Sequence, residues 1–195
     1  QAVETDHTPR ASLRDGPLIL PGFIDTHVHG GAGADTMDGA GAVLTLARHH
    51  LAHGTTTLYP TTLTAPMPDV LSALRGVKSA RTDAEGAKPP HPSLPGAHLE
   101  GPFISPDRLG AQPAHATPAT PESVAAILEL DVVRIVTLAP EIPGALTAAR
   151  AFAQAGVRIS IGHTTATAEQ VDAMHEAVRS AGGTLGFTHL YNAMG

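Results

Sequence analysis

A chain of 195 residues, 42% hydrophobic and 15% charged, can bury one sizeable core and has the composition of an ordinary globular protein. A formal net charge of −6 without any basic cluster argues against a nucleic-acid surface, and 3% aromatic content with no Trp leaves little for stacking on bases or sugars. Cysteine is absent, which removes disulfides and thiolate metal sites and fits a reducing cytoplasm; no apolar stretch reaches membrane-span length and no signal pattern opens the sequence.

Residues 1–17 are polar and lack periodicity, and are expected to be the remnant of a small N-terminal β domain or a linker. The first strand is expected from Leu18 to about His29, as an apolar run entering a buried strand through Pro21-Gly22. Gly30, Gly31 and Gly33 then predict a flexible loop. Val43, Leu46, Ala47 and Leu51 predict a helix over 40–53, ended by Gly54. A β-branched strand follows over 55–60, and a helix over 67–80 carries Val70, Leu71, Leu74 and Val77 on one stripe. Residues 81–95 read as loop and 95–100 as the third strand. The stretch 101–121, with five prolines, is too long for a mere connector. Beyond it the pattern predicts helix 122–130, strand 132–139, helix 143–155, strand 157–162, helix 167–181 and strand 183–190.

Strands alternating with helices predict a parallel α/β sheet, closed either as an open doubly wound sheet or as a barrel. Gly30-Gly31-Ala32-Gly33 lacks the glycine spacing of a dinucleotide site. Asp25, His27, His29, Glu100, Glu141, His163 and His189 instead mark the ends of several strands, which suits the rim of a barrel. A full barrel takes about eight units. Six are legible here, so the expectation is an incomplete barrel over 18–195 with two units downstream.

The strand-end residues supply the chemistry. Residues i and i+2 of a strand share a face, so His27 and His29 leave it side by side, placed to share a metal. With Glu100, His163 and His189 the inventory is four imidazoles and one carboxylate, which suits zinc, or iron or another first-row divalent ion. An open position on such a metal would make bound water acidic. Glu100 is the candidate to bridge two ions. His98 can face the same side and is a second-rank candidate, while His7, His49, His50, His53, His91 and His175 sit where structural or surface histidines are expected. Lys78 and Lys88 fall on a helix and a loop, which excludes a carboxylated lysine bridge from strand four.

Asp-Thr-His-Val-His at 25–29, His-Leu-Glu-Gly-Pro-Phe at 98–103, Gly-His-Thr-Thr-Ala-Thr at 162–167 and His-Leu-Tyr-Asn-Ala-Met at 189–194 resemble the N-acetylglucosamine-6-phosphate deacetylase family of the amidohydrolase superfamily. The resemblance implies a (β/α)8 barrel of the metal-dependent hydrolase type and hydrolysis of the N-acetyl amide of a phosphorylated amino sugar to glucosamine 6-phosphate and acetate. By position it makes Glu100, His163 and His189 the principal metal ligands and His27 and His29 the second-metal pair. Ala111, Gln112, Asn192 and Ala193 fall at substrate-binding positions. The family has histidine where this chain has Gln112, whose amide can donate a hydrogen bond but cannot titrate; His115 stands three residues on.

The family's catalytic aspartate belongs to an eighth strand, and its phosphate-gripping Arg and His to later residues or a neighbouring subunit. The resemblance therefore implies no catalytic residue before Gly195, Asp25 serving only to brace the first strand's turn. It also implies one or two divalent ions, zinc foremost, and a cytoplasmic homodimer with no nucleic-acid or membrane partner. Two further readings stand beside it: an amidohydrolase acting on another N-acyl or cyclic amide, suggested by Gln112, and an inactive metal-binding fragment.

Overall fold

The strand–helix alternation is realised in a computed structural model that describes residues 19–85 and 90–195. The polar segment 1–17 and Lys88 lie outside the described residues. The first strand, β1 (Phe23–Val28), is followed by a small antiparallel hairpin, β2 (Gly30–Gly31) with β3 (Ala34–Asp35). Next come α1 (Ala40–Ala52), β4 (Thr55–Pro60), α2 (Met67–Ala84) and β5 (Ala97–Glu100). After the long loop the chain forms α3 (Pro121–Glu129), β6 (Val133–Leu138), α4 (Ala145–Gln154), β7 (Arg158–Ile161), α5 (Ala168–Ser180) and β8 (Leu185–Phe187).

The fold is α/β with parallel sheets. β1 pairs parallel with β4, and β5, β6, β7 and β8 form a parallel sheet in chain order. Bridges from Thr57 to Ser93 and from Thr61 to His98 join β4 to β5, with the Thr62 N–H donating to the His98 carbonyl at 3.0 Å. The described strands thus stand side by side without the reversal of order that marks a doubly wound sheet.

Alternation along the strands separates two faces. Leu99, Val136, Leu138, Ile159 and Ile161 are buried and join one core with the helix stripes: Val43 and Leu46 of α1, Leu74 and Val77 of α2, Phe152 of α4 and Met174 of α5. Each large side chain taken fully out of water contributes roughly 1.5–3 kcal/mol. His98, Glu100, Thr137, Ser160 and Thr188 share the other face, which is polar and also buried. Hydroxyls tie it together: His98 Nε2 to Thr137 Oγ1 at 2.7 Å, Thr137 to Thr188 at 2.6 Å and Ser160 to Thr188 at 2.7 Å.

Several boundaries differ from expectation. Ile19 and Leu20 are 96% and 70% exposed and precede β1 rather than forming its buried start; within β1, Phe23 and Ile24 are 66% and 68% exposed. β1 is paired only with β4 among the described residues, so its free edge leaves these side chains uncovered. The glycine loop is partly ordered as the β2–β3 hairpin. Helix α2 runs to Ala84, because Arg81, Thr82, Asp83 and Ala84 are compatible with helix. Helix ends follow local chemistry: Thr120 and Thr167 cap α3 and α5 in reciprocal boxes with Ser123 and Gln170.

Candidate metal centre

Glu100 ends β5 with 1% exposure, and four imidazoles surround its carboxylate. One oxygen, Oε2, lies 3.2 Å from His27 Nε2 and 2.9 Å from His29 Nε2. The other, Oε1, lies 3.1 Å from His163 Nε2 and 3.3 Å from His189 Nε2. Within each pair the nitrogens are close as well: 3.2 Å for His27 and His29, 3.1 Å for His163 and His189. Among the described residues this yields two three-donor groups, His27–His29–Glu100 and Glu100–His163–His189, that share one carboxylate.

The imidazoles are oriented from behind. His29 Nδ1 is 3.2 Å from the Thr61 carbonyl, His163 Nδ1 2.8 Å from the Arg108 carbonyl and His189 Nδ1 3.1 Å from the Asn192 carbonyl. A carbonyl only accepts, so each Nδ1 carries a hydrogen and each Nε2 faces inward, able to donate to Glu100 when it carries a proton and to offer a lone pair to a metal when it does not. Ring nitrogens 3.1–3.2 Å apart beside a buried carboxylate favour a cation among them, a proton or a metal ion. The spacing fits a metal ion: metal–nitrogen bonds of about 2.0–2.1 Å set neighbouring donors roughly 2.9–3.3 Å apart, depending on coordination number.

Electrostatics agree. Burial alone would raise the Glu100 carboxyl, but hydrogen bonds from His163, His27 and His29 outweigh it and hold the group far below the usual carboxylate range. Burial would lower His29 and His163, yet the hydrogen bond to Glu100 and its charge raise both above the ordinary imidazole value. The field that favours a proton on those rings favours a metal ion in the same place.

The turns that deliver these ligands differ. His27 and His29 come from the end of β1, and the Asp25 carboxylate accepts the His27 N–H at 3.0 Å, in the bracing role expected of it. His163 and His189 lie just past β7 and β8 with φ of +52° and +33°, a left-handed conformation that disfavours a side chain. The Glu141 carboxylate holds the first of these turns, accepting from the Thr164 hydroxyl at 2.5 Å and the Thr165 N–H at 2.6 Å. The long loop folds over the same strand ends. Phe103 and Ile104 are fully buried, and the Ser105 N–H donates to the His163 carbonyl at 2.8 Å. Gly101, at φ +71°, admits no side chain, because a Cβ there would stand 2.1 Å from Thr64 Oγ1.

Of the remaining candidates, Gln112 is buried against Glu100 and Thr64, its Nε2 2.7 Å from Glu100 Oε2. Gly110 brings this loop beside His163 and Ala193. Ala111 and Asn192 are exposed at the same end of the molecule, and His115 is also exposed. His98 supports the centre from below: its Nδ1 meets the Thr26 carbonyl at 2.9 Å, and burial pushes the ring down to about 4, so it is neutral. His49, His50 and His53 cluster instead at the end of α1, where His50 Nε2 meets the Gly30 carbonyl at 3.2 Å. The hydroxyl ladder, the Glu141 clamp and the Gln112 contacts went unread in the sequence; Glu141's strand-end position was the one available signal.

Comparison with known proteins follows this geometry. The profile of the Amidohydrolase family matches residues 18–195. N-acetylgalactosamine-6-phosphate deacetylase of Escherichia coli O157:H7 is 40% identical over 190 residues, covering 93% of this chain and 47% of that protein. N-acetylglucosamine-6-phosphate deacetylase of Homo sapiens is 38% identical over 188 residues, covering 92% and 44%. The crystal structure of N-acetyl-D-glucosamine-6-phosphate deacetylase from Mycobacterium smegmatis superposes with a TM-score of 0.74 at 37% identity, covering 89% of this chain and 43% of that one. The Pasteurella multocida N-acetylglucosamine-6-phosphate deacetylase gives 0.77 at 27% identity, covering 89% and 44%. The chain spans about half the length of these curated relatives, at 47% and 44%. With the profile match running through every residue of the two donor groups, the chain belongs to the amidohydrolase family.

Proposed function

We propose that this chain is the metal-binding part of a deacetylase that hydrolyses N-acetylglucosamine 6-phosphate to glucosamine 6-phosphate and acetate. The observation that carries the reading is Glu100 shared between two imidazole pairs. Its architecture is read as part of a (β/α)8 barrel, supported by strands in unreversed order and by donors gathered from the ends of β1, β5, β7 and β8. Glu100, His163 and His189 would hold one divalent ion and His27 and His29, with Glu100, would hold a second; an all-nitrogen-and-oxygen donor set favours zinc, with iron next. Bound there, the metal would supply Lewis-acid polarisation of the acetyl carbonyl and a more acidic water.

The chain's own groups position the reactants. The carbonyls behind His29, His163 and His189 fix which nitrogen faces inward. Ala111, Asn192 and Ala193 border the approach, where the exposed Asn192 amide is free to take a sugar hydroxyl and the small Ala111 and Ala193 leave room for the ring. Gln112 sits deeper, on the carboxylate. The catalytic aspartate and the phosphate-gripping residues are assigned to parts of the protein other than these residues. A phosphorylated amino sugar as the small-molecule partner, a homodimer and a cytoplasmic setting complete the reading. No helix among the described residues is long and apolar enough to cross a membrane.

The test is acetate release from N-acetylglucosamine 6-phosphate by full-length protein loaded with zinc, iron or manganese. Release is expected; none with any metal counts against the assignment. A second reading is favoured by the 40% identity to an N-acetylgalactosamine-6-phosphate deacetylase. Rates on the two epimers, each with and without its phosphate, separate the readings.

A further inference from the structure

Gln112 is buried at 7% exposure, and both ends of its amide are committed. Its Oε1 accepts the Thr64 backbone N–H at 2.7 Å, and its Nε2 donates to Glu100 Oε2 at 2.7 Å. The chemistry fixes the orientation, since an N–H needs the amide oxygen and a carboxylate needs the amide hydrogens. The two carboxylate oxygens are therefore unlike. Oε1 meets only His163 and His189 among the described residues. Oε2 meets His27, His29 and, closest of all, Gln112.

We propose that Gln112 is a positioning residue for the His27–His29 half of the centre, holding Glu100 Oε2 in its ligating direction through an anchor on the Thr64 backbone. The inference rests on the two-ion reading above. Without the amide, the carboxylate can turn about its terminal torsion, which is soft, and Oε2 leaves the line between His27 and His29. Oε1 moves with it, since the carboxylate is one rigid plane, but the His163 and His189 rings are both pinned to backbone carbonyls and recapture it, whereas on the other side only His29 has such a carbonyl among the described residues. Outer contacts that orient a metal's ligands are typically worth 10–100-fold in metal affinity. An amide that served only to satisfy the buried Thr64 N–H would change the melting temperature and leave metal binding alone.

The test is titration of metal-free protein with zinc against a chromophoric chelator, and with cobalt followed by its visible absorption. Wild type, Q112M, the double variant H27N/H29N and all three substitutions together are compared, with thermal melts beside them. Wild type is expected to bind two ions, and Q112M to lose 10–100-fold at one step only, with a changed cobalt spectrum for that step. In the H27N/H29N background, Q112M should leave the remaining ion's affinity within about threefold, because the half-site it serves is already gone. A Q112M protein with two unchanged steps overturns the inference, as does equal weakening in both backgrounds. A wild-type protein that binds fewer than two ions overturns the two-ion reading itself.

Discussion

The two halves of the centre are built from the same atoms by different means. His27 and His29 stand two residues apart at the end of β1, where the pairing with β4 shifts register and Asp25 takes the His27 N–H, and a side-chain amide steadies Glu100 Oε2. His163 and His189 stand on separate chain turns, each at positive φ, and are steadied by backbone carbonyls and the Glu141 clamp. The first half asks for no left-handed backbone, and its His27 and His29 side chains are 26% and 32% exposed. In the second, His163 is 5% exposed and braced by the long loop, while His189 is as exposed as His27, at 26%. Residues in left-handed turns persist where the surroundings over-determine them, at roughly 1–3 kcal/mol each. His163 is therefore the most firmly held of the four rings, and the half that contains it should bind its ion first.

The largest effect tests what the halves have in common. E100Q removes the charge that both groups share and leaves one of the two oxygens as a donor, and metal affinity should fall by more than about a hundredfold in each, beyond what outer-shell changes cost. Chelator competition reads it, and a variant that keeps either ion tightly would show that the halves do not share the carboxylate. Next comes the difference. H163N/H189N should lose the tighter ion and H27N/H29N the weaker one; asparagine tolerates positive φ, so the turns survive the change. If both double variants lose the same ion, the division into halves fails.

The contrast also explains what could be read in advance. His-x-His was legible because a strand's period of two is local, and Glu100 because a carboxylate at the end of an apolar strand is conspicuous. The bends at His163 and His189 had no local signal: neither position is glycine or asparagine, and the first is held by Glu141, Thr164 and the loop carrying Arg108 and Ser105, the second by the Asn192 carbonyl behind the His189 ring. Gln112 was legible as a departure from its family's histidine, but not its partners. Thr64 lies 48 residues away along the chain, and a loop's path over strand ends is set by tertiary packing of Phe103 and Ile104. The exposure of Phe23 and Ile24 was unreadable for a related reason, since an apolar strand reports its own pattern and not whether a neighbour covers it.

Smaller effects sharpen the account of the second half. E141A frees Thr164 and Thr165 from the turn behind His163 and should weaken the tighter ion by about tenfold, with little change at the other. Equal loss at both would mean that Glu141 supports the sheet end as a whole.

The smallest effect asks how far that support extends along the chain. Thr167 caps α5 four residues after His163, and Thr120 caps α3 with the same reciprocal box. Each change to alanine should lower unfolding stability by about 1 kcal/mol, read from denaturant melts. If Glu141 is what fixes the His163 turn, fraying the start of α5 cannot reach the ligand, and T167A and T120A should leave the cobalt spectrum identical to wild type. A shift with T167A alone would place part of the hold on His163 in the helix that follows it. The left-handed turn would then be maintained at two points that follow it, by the Glu141 clamp on Thr164 and Thr165 and by the cap at Thr167.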